Sequence, residues 1–154
     1  MGGKGGIPIG VQAFFAAFSV MLILGTAVHA SPLGGLYWEW GPRPILKSFE
    51  AATPVIPLLG YVLFAAALSL LLRRLGIGGP VAGFKAGALF GLTVTFPGYL
   101  LLLGTWDIAP ALILLDSVLR LLEMGLAGAA AGFMLGFGAA VAEPDPEAGR
   151  DAMS

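Results

Sequence analysis

Four long stretches of apolar residues, each about as long as a lipid bilayer is thick, dominate this chain of 154 residues. A helix of ~20 apolar residues crosses the ~30 Å hydrocarbon core of a membrane. The apolar residues run continuously rather than alternating with polar ones, which favours helices over barrel strands. We therefore predict an all-α membrane protein, a bundle of four transmembrane helices that forms one domain over residues 1–142. The predicted helices are about 9–28, 54–72, 81–103 and 110–141.

The composition supports lipid as the solvent of these segments. Only 11% of residues are charged, against roughly 25% in soluble domains, and the mean hydropathy is +0.93. The net charge of −1, with no basic run, gives no support for nucleic-acid binding. The chain has no cysteine, which excludes disulfides, thiol catalysis and cysteine-ligated metals. We expect no cofactor.

The basic residues predict an orientation across the membrane. Arg73, Arg74, Lys4 and Lys85 fall on one side of the predicted bundle, and Arg43 and Lys47 on the other. By the positive-inside rule, both termini face the cytoplasm (N-in/C-in), in a multi-pass protein of the inner (plasma) membrane. The loop over residues 31–53 then lies outside, and we expect the acidic, Pro-rich tail at 143–154 to be disordered.

The first apolar segment has a competing interpretation. Val28, His29 and Ala30 resemble a signal-peptidase site that follows an apolar stretch with Lys4 ahead of it. Cleavage there would leave three helices. The segment is long for the apolar part of a signal peptide, so we favour an uncleaved first helix.

Glycine recurs every four residues in the last two helices. The third helix carries Gly83, Gly87 and Gly91, and the fourth carries Gly128, Gly132 and Gly136. This spacing places three glycines on one face, where the absence of side chains allows two backbones to approach closely. We predict tight packing of these two helices in their cytoplasmic halves. Two alternatives are a homodimer through either stripe and a stripe that only reflects the high glycine content.

Three charged residues share another face of the fourth helix. Asp116, Arg120 and Glu123 follow at spacings of four and three, so Arg120 is able to pair with either carboxylate. We expect His29 and Asp107 at the same outer level of the bundle. One interpretation is a polar ligand-binding pocket formed by these five residues. The other is a helix end that emerges into water, because the fourth segment is longer than a bilayer needs.

Catalytic and metal-binding patterns are weak. His29 is the single histidine, and no spacing such as HExxH supports a metal site. Thr93 and Thr95 have no adjacent base and are expected to bond to carbonyls of their own helix. We therefore predict neither a metal site nor an enzyme.

The run Gly87-Ala88-Leu89-Phe90-Gly91-Leu92, followed by Tyr99, Trp106 and Asp116, resembles a family of small, uncharacterised bacterial four-helix membrane proteins. The resemblance covers roughly residues 43–136. It implies the same fold and topology but no chemistry, because that family has no established activity. The chain departs from the family pattern at Phe96-Pro97-Gly98-Tyr99, where the family has a polar stretch.

Two functions remain open from the sequence. The first is a non-enzymatic accessory or assembly subunit of a larger membrane complex, based on small size and exposed small-residue faces. The second is a small binding or transport module for an amphiphile or ion, which uses the outer polar pocket. The expected partners are membrane lipids and either other membrane subunits or further copies of this chain.

Overall fold

The computed structural model describes residues 7–31, 35, 55–105 and 109–142, with the backbone alone for residues 29–30 and 139–142. These residues form four helices: α1 (Ile9–Ala30), α2 (Val55–Arg74), α3 (Pro80–Thr105) and α4 (Pro110–Ala142). Each helix is long and apolar enough to cross a membrane, and the described residues contain no strand. The prediction of an all-α fold with four membrane-length helices is confirmed.

The helices extend one or two residues beyond five of the eight predicted ends. α1 continues to Ala30, and α3 begins at Pro80 and continues through Pro97 to Thr105. Several predictions fall outside the described residues, so the structure does not test them. They concern Lys4, the loop at 36–53 with Arg43 and Lys47, residues Trp106 and Asp107, and the tail at 143–154.

Consecutive helices run in opposite directions. The start of α1 contacts both the end of α2, through Gly10 and Arg73, and the end of α4, through Ile9 and Gly138. One end of the bundle therefore carries Arg73 and Arg74, and we call it the basic end. The other end, where α2 and α4 begin, is called the opposite end.

Small and flexible side chains form the core between α1, α2 and α4. Each helix contributes a stripe at helical spacing, and all nine residues are fully buried. The stripes are Ala13, Ala17 and Met21 of α1, Ala65, Leu68 and Leu72 of α2, and Met124, Ala127 and Ala131 of α4. Five of the nine are alanines, so the helix axes lie close together, as is common in membrane bundles.

α3 joins the bundle through its glycines. Its buried residues are Gly83, Gly87 and Gly91, which lie against the glycine stripe of α4. A Cβ on Gly87 would lie 3.0 Å from the Cα of Gly128 and would overlap the carbonyl oxygen of Met124. The two backbones are therefore in direct contact over the half of each helix nearest the basic end.

The turn between α2 and α3 extends this contact. α2 ends in a Schellman motif, in which the Ile77 amide donates to the Leu72 carbonyl while Gly76 adopts a φ of 65°. Gly79, with a φ of 91°, then donates its amide to the Gly132 carbonyl at 2.7 Å. A backbone hydrogen bond thus links the turn to the middle of the α4 glycine stripe, where no side chain intervenes.

The glycine contact predicts opposite effects for the same substitution at two positions of α3. Gly87→Ala places a methyl group against the α4 backbone, and overpacking of this kind costs about 1–3 kcal/mol. Gly98→Ala is the matched control, because its Cβ position has no described neighbour within 4 Å. It should leave stability unchanged or raise it by up to ~1 kcal/mol through helix propensity. Unfolding in detergent measures both, and equal effects would contradict the packing.

Candidate ligand-binding site

The three charged residues of α4 interact with one another. The Arg120 guanidinium donates from Nη1 to Glu123 Oε2 at 2.7 Å, and its Nε lies 4.0 Å from Asp116 Oδ2. The spacings of three and four residues bring all three side chains to one face of the helix. Arg120 thus lies between two carboxylates, and the cluster carries a formal net charge of −1.

This charged cluster (Asp116, Arg120 and Glu123) faces the bundle rather than extending away from it. Glu123 is only 7% exposed, and the side chains of Arg120 and Asp116 are 27% and 21% exposed. Glu123 lies about 20 Å along α4 from its first residue, at 1.5 Å per residue. The structure therefore places the three side chains within the bundle, in the first half of α4, and ligand binding there stays a prediction.

Each of the other helices supplies a residue to the cluster. The Tyr99 hydroxyl of α3 donates to Asp116 Oδ2. The Tyr61 side chain of α2 lies beside the Arg120 guanidinium, and its hydroxyl packs against Gly25 of α1. Two phenol groups therefore cover the charged face of α4. Their hydroxyl groups make polar contacts with the charged side chains, which apolar side chains at the same positions would not make.

A pocket opens beside the cluster, between α1, α2 and α4. Its volume is ≈ 180 Å³, and Tyr61, Gly25 and the three charged residues form its polar side. The remaining wall is apolar and is formed by Leu24, Val28, Leu119, Leu122 and Leu126. Leu122 and Leu126 are also exposed on the outside of the bundle, at 45% and 44%. The pocket is therefore lined by charged side chains on one side and by apolar side chains on the other.

The other two predicted site residues stay predictions. His29 lies in the last turn of α1, at the opposite end, but its side chain is not described. Asp107 lies outside the described residues. Within the described part of the chain, no group of three or more His, Asp or Glu side chains is placed to hold a metal ion.

Sequence reasoning missed Gly25 and Tyr61. A Cβ on Gly25 would overlap the Tyr61 hydroxyl, so the glycine makes room for the phenol to reach the cluster. The available signal was weak: Tyr61 is the single tyrosine of α2 and the only polar side chain in the first half of that helix. Its partner depends on how α1 and α2 are rotated about their axes, which periodicity does not specify.

No protein-family model matches this sequence, no curated protein shows significant similarity to it, and no solved structure matches its fold.

The contact between Gly25 and Tyr61 predicts a dependence of one substitution on the other. Gly25→Ala forces the Tyr61 ring to move and should cost about 1–3 kcal/mol of folding free energy. In a Tyr61→Ala background there is no ring to displace, so most of that penalty should disappear.

Gly60→Ala of α2 is the control, since its Cβ position has no neighbour within 4 Å among the described residues. Unfolding in detergent of the two single variants, the double variant and the control measures the coupling. A penalty for Gly25→Ala that is the same with and without Tyr61 would contradict the contact.

Proposed function

We propose that this protein is a multi-pass membrane protein of the inner (plasma) membrane that binds a small cationic amphiphile in the pocket beside the charged cluster. The observation that supports this most strongly is the partly buried Glu123–Arg120 pair, which borders a largely apolar pocket within a helix of membrane length. Ionisable residues inside membrane segments are costly and commonly mark binding or transport sites.

Charge favours a cation as the polar part of the ligand. The cluster contains two carboxylates and one guanidinium, so its formal net charge is −1. A net charge in a medium of low dielectric constant is unfavourable. A ligand cation reduces this net charge, whereas an anion would increase it.

Size and lining favour a compact apolar part. An engineered apolar cavity of about 150 Å³ in another protein holds one benzene molecule. The pocket here, at ≈ 180 Å³, has room for one ring or a similar group. The five aliphatic side chains of its wall suit that group, and the cluster suits an attached cationic group. Phenyltrimethylammonium combines one aromatic ring with a cationic group, and tert-butylbenzene is its uncharged analogue of the same shape.

Several expectations from the sequence stay predictions. They are the accessory-subunit role, the absence of enzymatic activity, the N-in/C-in orientation and the likeness to small bacterial membrane proteins. We place the binding role ahead of the accessory role because the pocket is a specific feature. The exposed apolar faces of the four helices are equally suited to lipid.

The proposal predicts charge-dependent binding of phenyltrimethylammonium to the purified protein in mild detergent. Calorimetry or equilibrium dialysis should give a lower Kd for this cation than for tert-butylbenzene. Glu123→Gln brings the formal net charge of the cluster from −1 to zero and should raise the Kd of the cation about tenfold, or about 1.4 kcal/mol. Arg120→Gln removes the compensating positive charge and should leave the Kd unchanged or lower it.

Arg74→Gln is the matched control, because Arg74 is exposed at the basic end, far from the pocket. It should not change the Kd. Circular dichroism and the unfolding midpoint establish that each variant is folded. Equal affinity for the cation and its uncharged analogue, or equal effects of Glu123→Gln and Arg74→Gln, would contradict the proposal.

A further inference from the structure

A second pocket lies at the basic end, between α1 and α2, and is separate from the charged cluster. Its volume is ≈ 300 Å³. Gly10, Val11 and Phe14 of α1 form one wall, and Ser69, Leu70 and Arg73 of α2 form the other. None of these residues contributes to the proposed cation pocket, so this site is independent of the proposed function.

Two sources of positive charge meet at this pocket. α1 begins after Pro8, and its N-terminus has no side-chain cap and no acidic residue in the first turn. Its free amide groups and the helix dipole make such an end a binding site for anions. The Arg73 guanidinium lies directly against it, with Nη1 3.3 Å from the Cβ position of Gly10. Because Gly10 has no side chain, the cation reaches the helix backbone.

The described part of the chain supplies no anion for this charge. All of its ion pairs belong to Arg120 on α4, and Arg73 is in none of them. An arginine held against the positive end of a helix is repelled by it unless an anion lies between or beside them. The geometry therefore favours a bound anion that accepts hydrogen bonds from both.

A buried hydroxyl lines the same pocket deeper in the bundle. Ser69 is 6% exposed, and its Oγ has no hydrogen-bond partner among the described residues. A buried hydroxyl without a partner is unfavourable, so a ligand acceptor in the pocket would stabilise it. Ser69 lies four residues before Arg73, which places it about 6 Å deeper along α2. A ligand that binds both Arg73 and Ser69 needs an anionic oxygen near Arg73, at the end of the bundle. It also needs a neutral hydrogen-bond acceptor near Ser69, one helical turn deeper.

The rest of the wall is apolar and continuous with the outer surface. Val11 and Leu70 line the pocket and are 40% and 56% exposed on the outside of the bundle. A free phosphate ion would leave this apolar wall uncovered. A phospholipid matches every part of it: the phosphate at Arg73, an ester carbonyl at Ser69, and acyl chains that leave the pocket into the bilayer past Val11 and Leu70.

We propose that this pocket is a binding site for an anionic phospholipid, whose phosphate group lies between Arg73 and the N-terminus of α1. A zwitterionic lipid brings a cationic group, such as the trimethylammonium of phosphatidylcholine, towards Arg73 and is therefore disfavoured. Basic pockets between helices at the membrane surface recognise anionic head groups in this way.

Native mass spectrometry of the full chain, released from vesicles of equal parts phosphatidylglycerol and phosphatidylcholine, tests the site. The wild type should retain one phosphatidylglycerol in at least tenfold preference to phosphatidylcholine. Arg73→Ala should reduce that preference at least fivefold. Arg74→Ala, the neighbouring arginine that does not line the pocket, should leave it within twofold. Ser69→Ala should shorten lipid retention while the preference for phosphatidylglycerol persists.

Three results would overturn the site. Equal losses in Arg73→Ala and Arg74→Ala would indicate diffuse attraction to a basic surface. Displacement of the lipid by 10 mM inorganic phosphate would indicate a free-anion site. No preference in the wild type would indicate no anion site. Arg73 is exposed, so its replacement should leave the fold intact, and an unchanged circular dichroism spectrum verifies this.

Discussion

The direct contact between the backbones of α3 and α4 determines how the rest of the bundle is arranged. Because glycines occupy the face of α4 that contacts α3, α1 and α2 pack against the other faces of α4. The core residues Met124, Ala127 and Ala131 then meet the alanine-rich faces of those two helices. The same rotation turns Arg120 and Glu123 towards α1 and α2, so the glycine contact at the basic end sets the position of charges nearer the opposite end.

The two pockets follow from this arrangement by the same physical rule. Charged groups in an apolar bundle need partners, and this chain supplies some of them from within. Arg120 compensates one carboxylate, and Tyr99 donates to Asp116. The cluster as a whole has a formal net charge of −1, and Arg73 has no counter-charge among the described residues. We propose that ligands of opposite sign, an amphiphilic cation and an anionic lipid, provide these counter-charges.

Much of this arrangement was predictable from the sequence. The length of an apolar segment indicates a membrane helix, and the spacing of residues along the helix indicates which of them share a face. The four helices, the stripe of Gly83, Gly87 and Gly91, and the shared face of the charged cluster all followed from such patterns. The residues on other helices that contact those faces could not be predicted in this way. Gly25 meets Tyr61, and Gly10 meets Arg73, through contacts between different helices. Such contacts depend on helix rotation and tilt, which one sequence does not encode in a local pattern.

The bundle encloses the charged cluster, and we propose that lipid, not water, surrounds the outside of the bundle at this level. The chain has no cysteine, so single cysteines report cleanly. Ile23, Leu63 and Val118 face outward near the cluster on three helices, with exposures of 66%, 62% and 50%. In membranes permeable to a hydrophilic maleimide, cysteines at these positions should label to less than about a tenth of the level reached after denaturation in SDS, since lipid excludes the reagent. Labelling near the denatured level at all three would show that the cluster lies in a part of the bundle surrounded by water.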